Sequence, residues 1–130
     1  MAQKTTIDPY HGDYAQKTRD IVHWLEEKQA KETVALDVSR VCAVTEALVI
    51  ASAGSARHAQ ALADGLLAKL AEFGIELMGM EGYRTGTWIL VDVNDVLVHI
   101  FQEDYRDFYN IEGLWTEGQP LVSKQEAEHD

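Results

Sequence analysis

The chain has 130 residues, 46% of them hydrophobic and 25% charged, which is typical of one ordinary globular domain and excludes collagen-like, low-complexity and disordered proteins. Its 22 acidic residues outnumber its 11 basic residues, and the net charge of −11 disfavours nucleic-acid binding and favours basic protein partners. A single cysteine excludes an internal disulfide, the first residues lack an export-signal pattern, and no apolar run could cross a membrane, so we expect a cytoplasmic protein.

The first half of the chain contains helical and strand patterns. Residues 1–13 are polar and show no period, and we expect a flexible leader there. Apolar residues at helical spacing predict a helix over residues 14–31, with Asp13 as its cap. Alternation predicts a strand over 34–38, and the apolar run at 48–51 predicts a strand buried on both faces.

The middle of the chain predicts one long helix and a further strand. Ser55 follows a turn and is placed to cap a helix. An apolar stripe then continues at helical spacing to Phe73, and Gly74 ends it. Residues 75–80 predict a strand, and a glycine-containing loop follows over 81–87.

Two six-residue strand patterns, 88–93 and 96–101, are separated only by Asn94-Asp95. Both turn residues tolerate left-handed conformations, so the pattern predicts a tight hairpin. Pairing of Val93 with Val96 then places a wholly β-branched set of residues on one face. The opposite face collects the remaining side chains of the two strands, which are Trp88, Leu90, Asp92, Leu97, His99 and Phe101.

That second face is too apolar for a solvated surface, so something must cover it. The segment 92–117 around it carries seven acidic residues against Arg106 alone, which is more than half of the net charge. An apolar centre with a charged rim is the anatomy of a protein interface. A helix of the same chain is an equally good cover, and a need for solubility would also explain the charge.

The end of the chain predicts less regular structure. Residues 103–109 have a helical pattern that includes Tyr105 and Tyr109, and 111–115 predict one further turn. We expect residues 117–130 to form a flexible acidic tail.

Two features favour an enzyme, and each has a simpler explanation. The Gly54-Ser55 turn could hold an anion, although Ser55 is more simply a helix cap. Asp92 and Asp95 could hold a metal ion, although they straddle the hairpin turn. A metal-dependent nucleotidyltransferase or phosphohydrolase is therefore the alternative hypothesis. No His or Cys lies at ligand spacing from His99, so a zinc site is not expected. No residues are assembled for nucleophilic catalysis, and we predict no catalytic residue, metal or cofactor.

Several motifs occur in an order that is specific as a combination. They are Ala35-Leu36-Asp37-Val38, Gly54-Ser55-Ala56-Arg57-His58, Glu81-Gly82, Trp88, Val91-Asp92, Asp95-Val96-Leu97-Val98-His99-Ile100-Phe101 and Phe108-Tyr109-Asn110-Ile111-Glu112-Gly113-Leu114-Trp115. In these motifs, over about residues 18–115, the chain resembles the ribosomal silencing factor family, also called RsfS or Iojap.

The resemblance implies one α/β domain over residues 14–116, with a mixed sheet, flanking helices and a nucleotidyltransferase-like topology. It also implies binding to the large ribosomal subunit through the ribosomal protein L-fourteen and steric blocking of small-subunit joining when nutrients are scarce. No covalent chemistry is required for such a mechanism.

By this similarity Trp88 is the leading anchor for the partner, with Leu90, Leu97 and Phe101 beside it. Further expected contacts are at Glu81, Asp92, His99, Tyr105, Arg106 and Tyr109. A homodimer through the same face is a third possibility, because the same apolar surface could be covered by a second copy.

Overall fold

A computed structural model describes residues 8–110, 113 and 119–122. The elements in chain order are α1 (Tyr14–Glu27), β1 (Lys31–Asp37), β2 (Ala47–Ala53), α2 (Ala56–Phe73), β3 (Gly79–Glu81), β4 (Trp88–Asp92), β5 (Val96–Gln102), α3 (Glu103–Tyr109) and β6 (Gln119–Val122). The strands form one sheet in the order β3-β4-β5-β2-β1-β6. Among the described strands only the β2–β5 pair is parallel, so the predicted α/β domain with a mixed sheet and flanking helices is confirmed.

The main core lies between one face of the sheet and the two long helices. The β-branched face of the hairpin is fully buried there, as are Leu62 and Leu66 of α2 and Ile21 of α1. β2 lies in the middle of the sheet and is buried along its whole length, which explains its continuous apolar sequence. The helices therefore occupy one side and leave the other sheet face to be covered separately.

The two helices begin and end largely as their sequences indicate. The Ser55 side chain accepts a hydrogen bond from the His58 backbone N–H, and Gly74 ends α2 with a φ of 71°. α1 stops at Glu27, short of the predicted residue 31, because Gln29 adopts a φ of 69° and turns the chain into β1. No helix in the described part of the chain is long and apolar enough to cross a membrane.

The hairpin of β4 and β5 has the predicted turn and register. Asn94 has a φ of 83°, and the Val93 backbone N–H donates to the carbonyl of Val96. Trp88 lies opposite Phe101, and Leu90 lies opposite His99. Both predicted faces of the hairpin are therefore confirmed.

The predicted strand at residues 75–80 is wrong in its extent. Only Gly79–Glu81 form β3, because this is the edge of the sheet and pairs only with β4. Ile75 still packs in the main core, but Leu77 and Met78 are exposed. From sequence alone, a short apolar run in a strand cannot be told from one in the loop that precedes a strand.

Both predicted flexible ends contain ordered segments. Asp8 accepts hydrogen bonds from the backbone N–H groups of Tyr10 and Gly12, and the Tyr10 hydroxyl donates to Asp20 of α1 at 2.6 Å. Residues 8–13 are thus packed on α1, whereas residues 1–7 lie outside the described residues.

The expected flexible tail is corrected at Gln119–Val122, which form β6 and pair antiparallel with β1. Pro120 is accepted because β6 is an edge strand. Leu121 packs against the core. The rest of the tail and, apart from Gly113, the predicted turn at 111–115 lie outside the described residues.

Candidate functional site

The candidate site is the Trp88 face, which we define as the sheet side bearing Trp88, Leu90 and Asp92 of β4 and Leu97, His99 and Phe101 of β5. It points away from α1 and α2, whose apolar residues pack on the opposite side of the sheet. Trp88, Leu90, Asp92 and Leu97 are half-buried, whereas His99 and Phe101 are buried. The face therefore remains partly open over β4 and the start of β5.

Phe101, which we expected beside Trp88 in the partner contact, is instead fully buried. It forms a small second core with Val34 and Ile50, and Trp88 packs against this core. The register brings these residues together, since β2 lies beside β5 and β1 lies beside β2, and alternate side chains of all three strands share one face. Phe101 thus packs beneath the Trp88 ring, on its core side, and its own ring is not accessible to a partner in this conformation.

Three aromatic rings pack against one another on this face. The Trp88 and Phe101 ring centroids are 5.0 Å apart, and the His99 ring lies 5.8 Å from Trp88 and 6.1 Å from Phe101. The indole Nε1–H of Trp88 donates to Nδ1 of His99 at 3.0 Å. Trp88 therefore has a defined orientation although it is only half-buried.

His99 is held neutral in this environment. Burial lowers the pKa of the His99 imidazole to about 4, because the charged form would lose its hydration. The predicted partner contact at His99 is corrected in one respect: the side chain is 6% exposed and offers little surface of its own.

Arg106 differs most from its expected place at the rim. It is 4% exposed, and its guanidinium Nη1 donates to the Ser52 hydroxyl at 2.8 Å and to the backbone carbonyl of Glu32. Glu32 lies where the β1–β2 register shifts, with a φ of 49°. Arg106 thus fastens α3 to the sheet, and the expected partner contact at Arg106 is corrected because its guanidinium is buried inside the protein in this conformation.

The remaining predicted contacts are placed in different ways. Glu81 is exposed on β3 and lies opposite Leu90 in the strand register, so it borders the open part of the face. Tyr105 is exposed on α3. Tyr109 ends α3, and its side chain lies outside the described residues.

Two loop glycines bring Trp88 to the start of its strand. Gly82 has a φ of 82°, and an added Cβ would lie 2.1 Å from the carbonyl oxygen of Trp88. Gly86 has a φ of 74°, and an added Cβ would lie 2.8 Å from the Ala56 side chain at the start of α2. The sequence indicated a glycine-containing loop here but not these close approaches, which depend on tertiary packing.

One residue of the same face was missed. Leu36 of β1 is half-buried and lies opposite Leu48, which in turn lies beside Leu97 in the parallel pair. Its alternation within β1 was visible in the sequence. The face to which it belongs became clear only from the order of the strands.

The residues that favoured an enzyme are engaged elsewhere. The Asp95 carboxylate pairs with the buried ammonium of Lys17 at 2.6 Å, and Asp92 accepts a hydrogen bond from the Asn94 backbone N–H. Ser55 caps α2. Among the described residues no group of three His, Cys, Asp or Glu side chains is arranged to hold a metal ion. Asp95 and Ser55 therefore have structural roles in this conformation.

The fold and the Trp88 face define a small α/β protein whose distinctive surface is a partly open aromatic sheet face. A family model described as "Ribosomal silencing factor during starvation" matches residues 12–130. The chain is 38% identical over 91 residues to the ribosomal silencing factor RsfS of Chromobacterium violaceum. The matched region covers 70% of this chain and 75% of that protein. The chain belongs to the ribosomal silencing factor family.

Solved structures agree with this assignment. A crystal structure of a Chromobacterium violaceum protein has a TM-score of 0.75 and 35% identity, over 78% of this chain and 86% of that one. One from Bacillus halodurans has a TM-score of 0.70 and 34% identity, over 77% and 94%. A more distant relative, 25% identical over 74% of this chain and 43% of its own length, is the mouse "Mitochondrial assembly of ribosomal large subunit protein 1".

Proposed function

We propose that this protein binds the large ribosomal subunit in the cytoplasm through a basic ribosomal protein of the L-fourteen family. Bound there, it blocks joining of the small subunit and represses translation under nutrient limitation. The observation that carries the proposal is the half-buried Trp88, held over Phe101 on the one sheet face that the long helices do not cover. Family membership and a relative named for large-subunit assembly support the choice of partner.

The apolar part of the Trp88 face provides the binding energy in this proposal. Trp88, Leu90 and Leu97 are half-buried in the free protein, so a partner can remove the rest of their surface from water. Central aromatic anchors typically dominate the energy of such interfaces. The stacked rings keep Trp88 ordered before binding, which lowers the entropy cost of association.

The negative charge provides orientation. Ribosomal proteins are generally basic, and a net charge of −11 accelerates encounter with a basic surface. Glu81 is exposed next to the apolar patch and would meet the partner at the rim. Rim charges of this kind affect the association rate and the salt dependence more than the total affinity.

The proposed mechanism is steric and uses no covalent chemistry. A chain of 14.6 kDa bound on the joining surface occupies space that the small subunit needs. A homodimer through the Trp88 face remains a prediction, and it would compete with ribosome binding because both use the same surface.

Binding of purified L-fourteen protein and of large subunits to Trp88→Ala tests the site. We expect the variant to lose on the order of 2 kcal/mol of binding free energy, roughly a thirtyfold increase in Kd, because a central anchor is removed. Phe73→Ala is the matched control, since Phe73 is an exposed aromatic residue at the end of α2, outside the Trp88 face. Circular dichroism checks that both variants fold.

Two charge-reversal variants give a second test of the site that leaves the aromatic rings intact. Glu81→Lys should weaken binding several-fold at low salt, whereas Glu72→Lys makes the same charge change on exposed α2 and should have a smaller effect. If Trp88→Ala and Glu81→Lys both bind as the parent does, the Trp88 face is not the ribosomal contact.

A further inference from the structure

The polar atom of the Trp88 side chain is already bonded inside the molecule. Its Nε1–H donates to Nδ1 of His99 at 3.0 Å, and an indole has no other hydrogen-bonding group. A partner that covers Trp88 therefore needs no acceptor at this point. Without His99, the same partner would strand a donor in a desolvated interface or would have to supply an acceptor.

His99 is fixed independently of Trp88. Its strand position places it between Leu90 of β4 and Ile50 of β2, and its ring stacks on Phe101. Because an indole is only a donor, Nδ1 must be unprotonated and the ring proton lies on Nε2. Burial keeps the ring in that neutral state at physiological pH. The acceptor is therefore in place before any partner arrives.

We propose that His99 is a positioning residue for partner binding, which orients the indole of Trp88 and satisfies its N–H so that the surface offered there is carbon alone. This inference rests on the proposed function of the Trp88 face. The group that meets Trp88 on the partner is then an apolar side chain or the methylene stem of a lysine or arginine, and not a hydrogen-bond acceptor.

Two substitutions of similar size separate positioning from mere packing. In His99→Asn the side-chain oxygen can take the place of Nδ1, whereas His99→Leu fills similar volume without an acceptor. Burial of an amide costs more than burial of an aliphatic group, so His99→Leu should be the more stable variant. The positioning role predicts the opposite order for binding.

Binding of each purified variant to large subunits tests this order. We expect His99→Asn to bind within about twofold of the parent and His99→Leu to bind roughly tenfold more weakly, since the indole donor is left unpaired. Urea denaturation gives the stability order. Equal binding by the two variants, or binding that follows stability, would overturn the inference.

An NMR measurement keeps this result separate from the proposed function. The ¹H–¹⁵N resonance of the Trp88 indole, assigned by its loss in Trp88→Phe, should keep its position and slow solvent exchange in His99→Asn and lose both in His99→Leu. An unchanged resonance in His99→Leu also overturns the inference. If the resonance responds but Trp88→Ala binds large subunits as the parent does, the proposed function fails, and with it the role of His99 in binding.

Discussion

Gly82 determines how the chain enters the strand that carries Trp88. Its φ of 82° lies in the left-handed region, and an added Cβ would lie 2.1 Å from the backbone carbonyl oxygen of Trp88. The neighbour is backbone and cannot rotate away as a side chain can. This residue therefore couples loop conformation to the position of the proposed anchor.

Substitution of Gly82 by alanine should destabilise the protein by on the order of 2 kcal/mol, since it adds a left-handed penalty to a backbone clash. Gly79→Ala is the matched control, because nothing lies within 4 Å of its added Cβ and its φ is not left-handed. Urea denaturation measures both. Similar stability in the two variants would show that the loop relaxes without cost.

The buried imidazole of His99 should make stability depend on pH. Its pKa in the folded protein is lowered from 6.5 to about 4, so the unfolded chain binds this proton at a higher pH than the folded protein does. Above about pH 6.5 His99 is neutral in both states and its protonation does not affect stability. As the pH falls towards 4 the unfolded chain takes up the proton first, so the free energy of unfolding decreases by a total of about 3 kcal/mol.

Comparison of the parent with His99→Leu isolates this contribution, because the carboxylates titrate in both. Urea denaturation at pH 7 and at pH 4.5 should show that the parent loses more stability than the variant over that interval. Parallel losses in the two proteins would mean that His99 is not buried in a neutral form.

At the scale of elements, β6 completes the edge of the sheet next to β1. It supplies a short antiparallel ladder at Gln119–Val122, and Leu121 packs against the core. A chain that ends at residue 118 should be less stable than one that ends at residue 122 by on the order of 2 kcal/mol, because both contributions disappear. Thermal unfolding of the two truncated chains measures the difference, and equal midpoints would contradict a structural role for β6.

The elements differ in how far their sequences could predict them. The turn, register and faces of the β4–β5 hairpin were predictable because the signals are local: two strand patterns separated only by Asn94-Asp95. In the structure Asn94 adopts the positive φ that such a turn requires. β6 could not be recognised, since four residues including Pro120 form a strand only because β1 presents an edge to them. The shortness of β3 likewise depends on its place at the opposite edge.

The sequence could predict which residues share the candidate face, but not how deeply each of them is buried. Alternation along β4 and β5 shows which residues share a face, but not which of them lie under other parts of the chain. Phe101 is covered because it packs with Val34 and Ile50 from strands distant in sequence. Arg106 is buried because Ser52 and the Glu32 carbonyl accept its hydrogen bonds, and a charged residue gives no such signal in isolation.

For the molecule as a whole, the two faces of the sheet have different roles. One face packs on the long helices and holds the main core, and the other carries a stacked aromatic cluster that stays partly open over Trp88, Leu90 and Leu97. A strong negative charge surrounds this arrangement. An apolar centre surrounded by negative charge suits the proposed action, which is to occupy space on a larger basic partner.

A subunit-joining assay tests this account most directly. Purified large subunits are incubated with the parent protein, Trp88→Ala or Phe73→Ala, small subunits are added, and the joined ribosomes are quantified by sedimentation. The account predicts that the parent and Phe73→Ala reduce joining in proportion to the large subunits they occupy, and that Trp88→Ala at the same concentration does not. Undiminished joining when large subunits are saturated with the parent protein would contradict it.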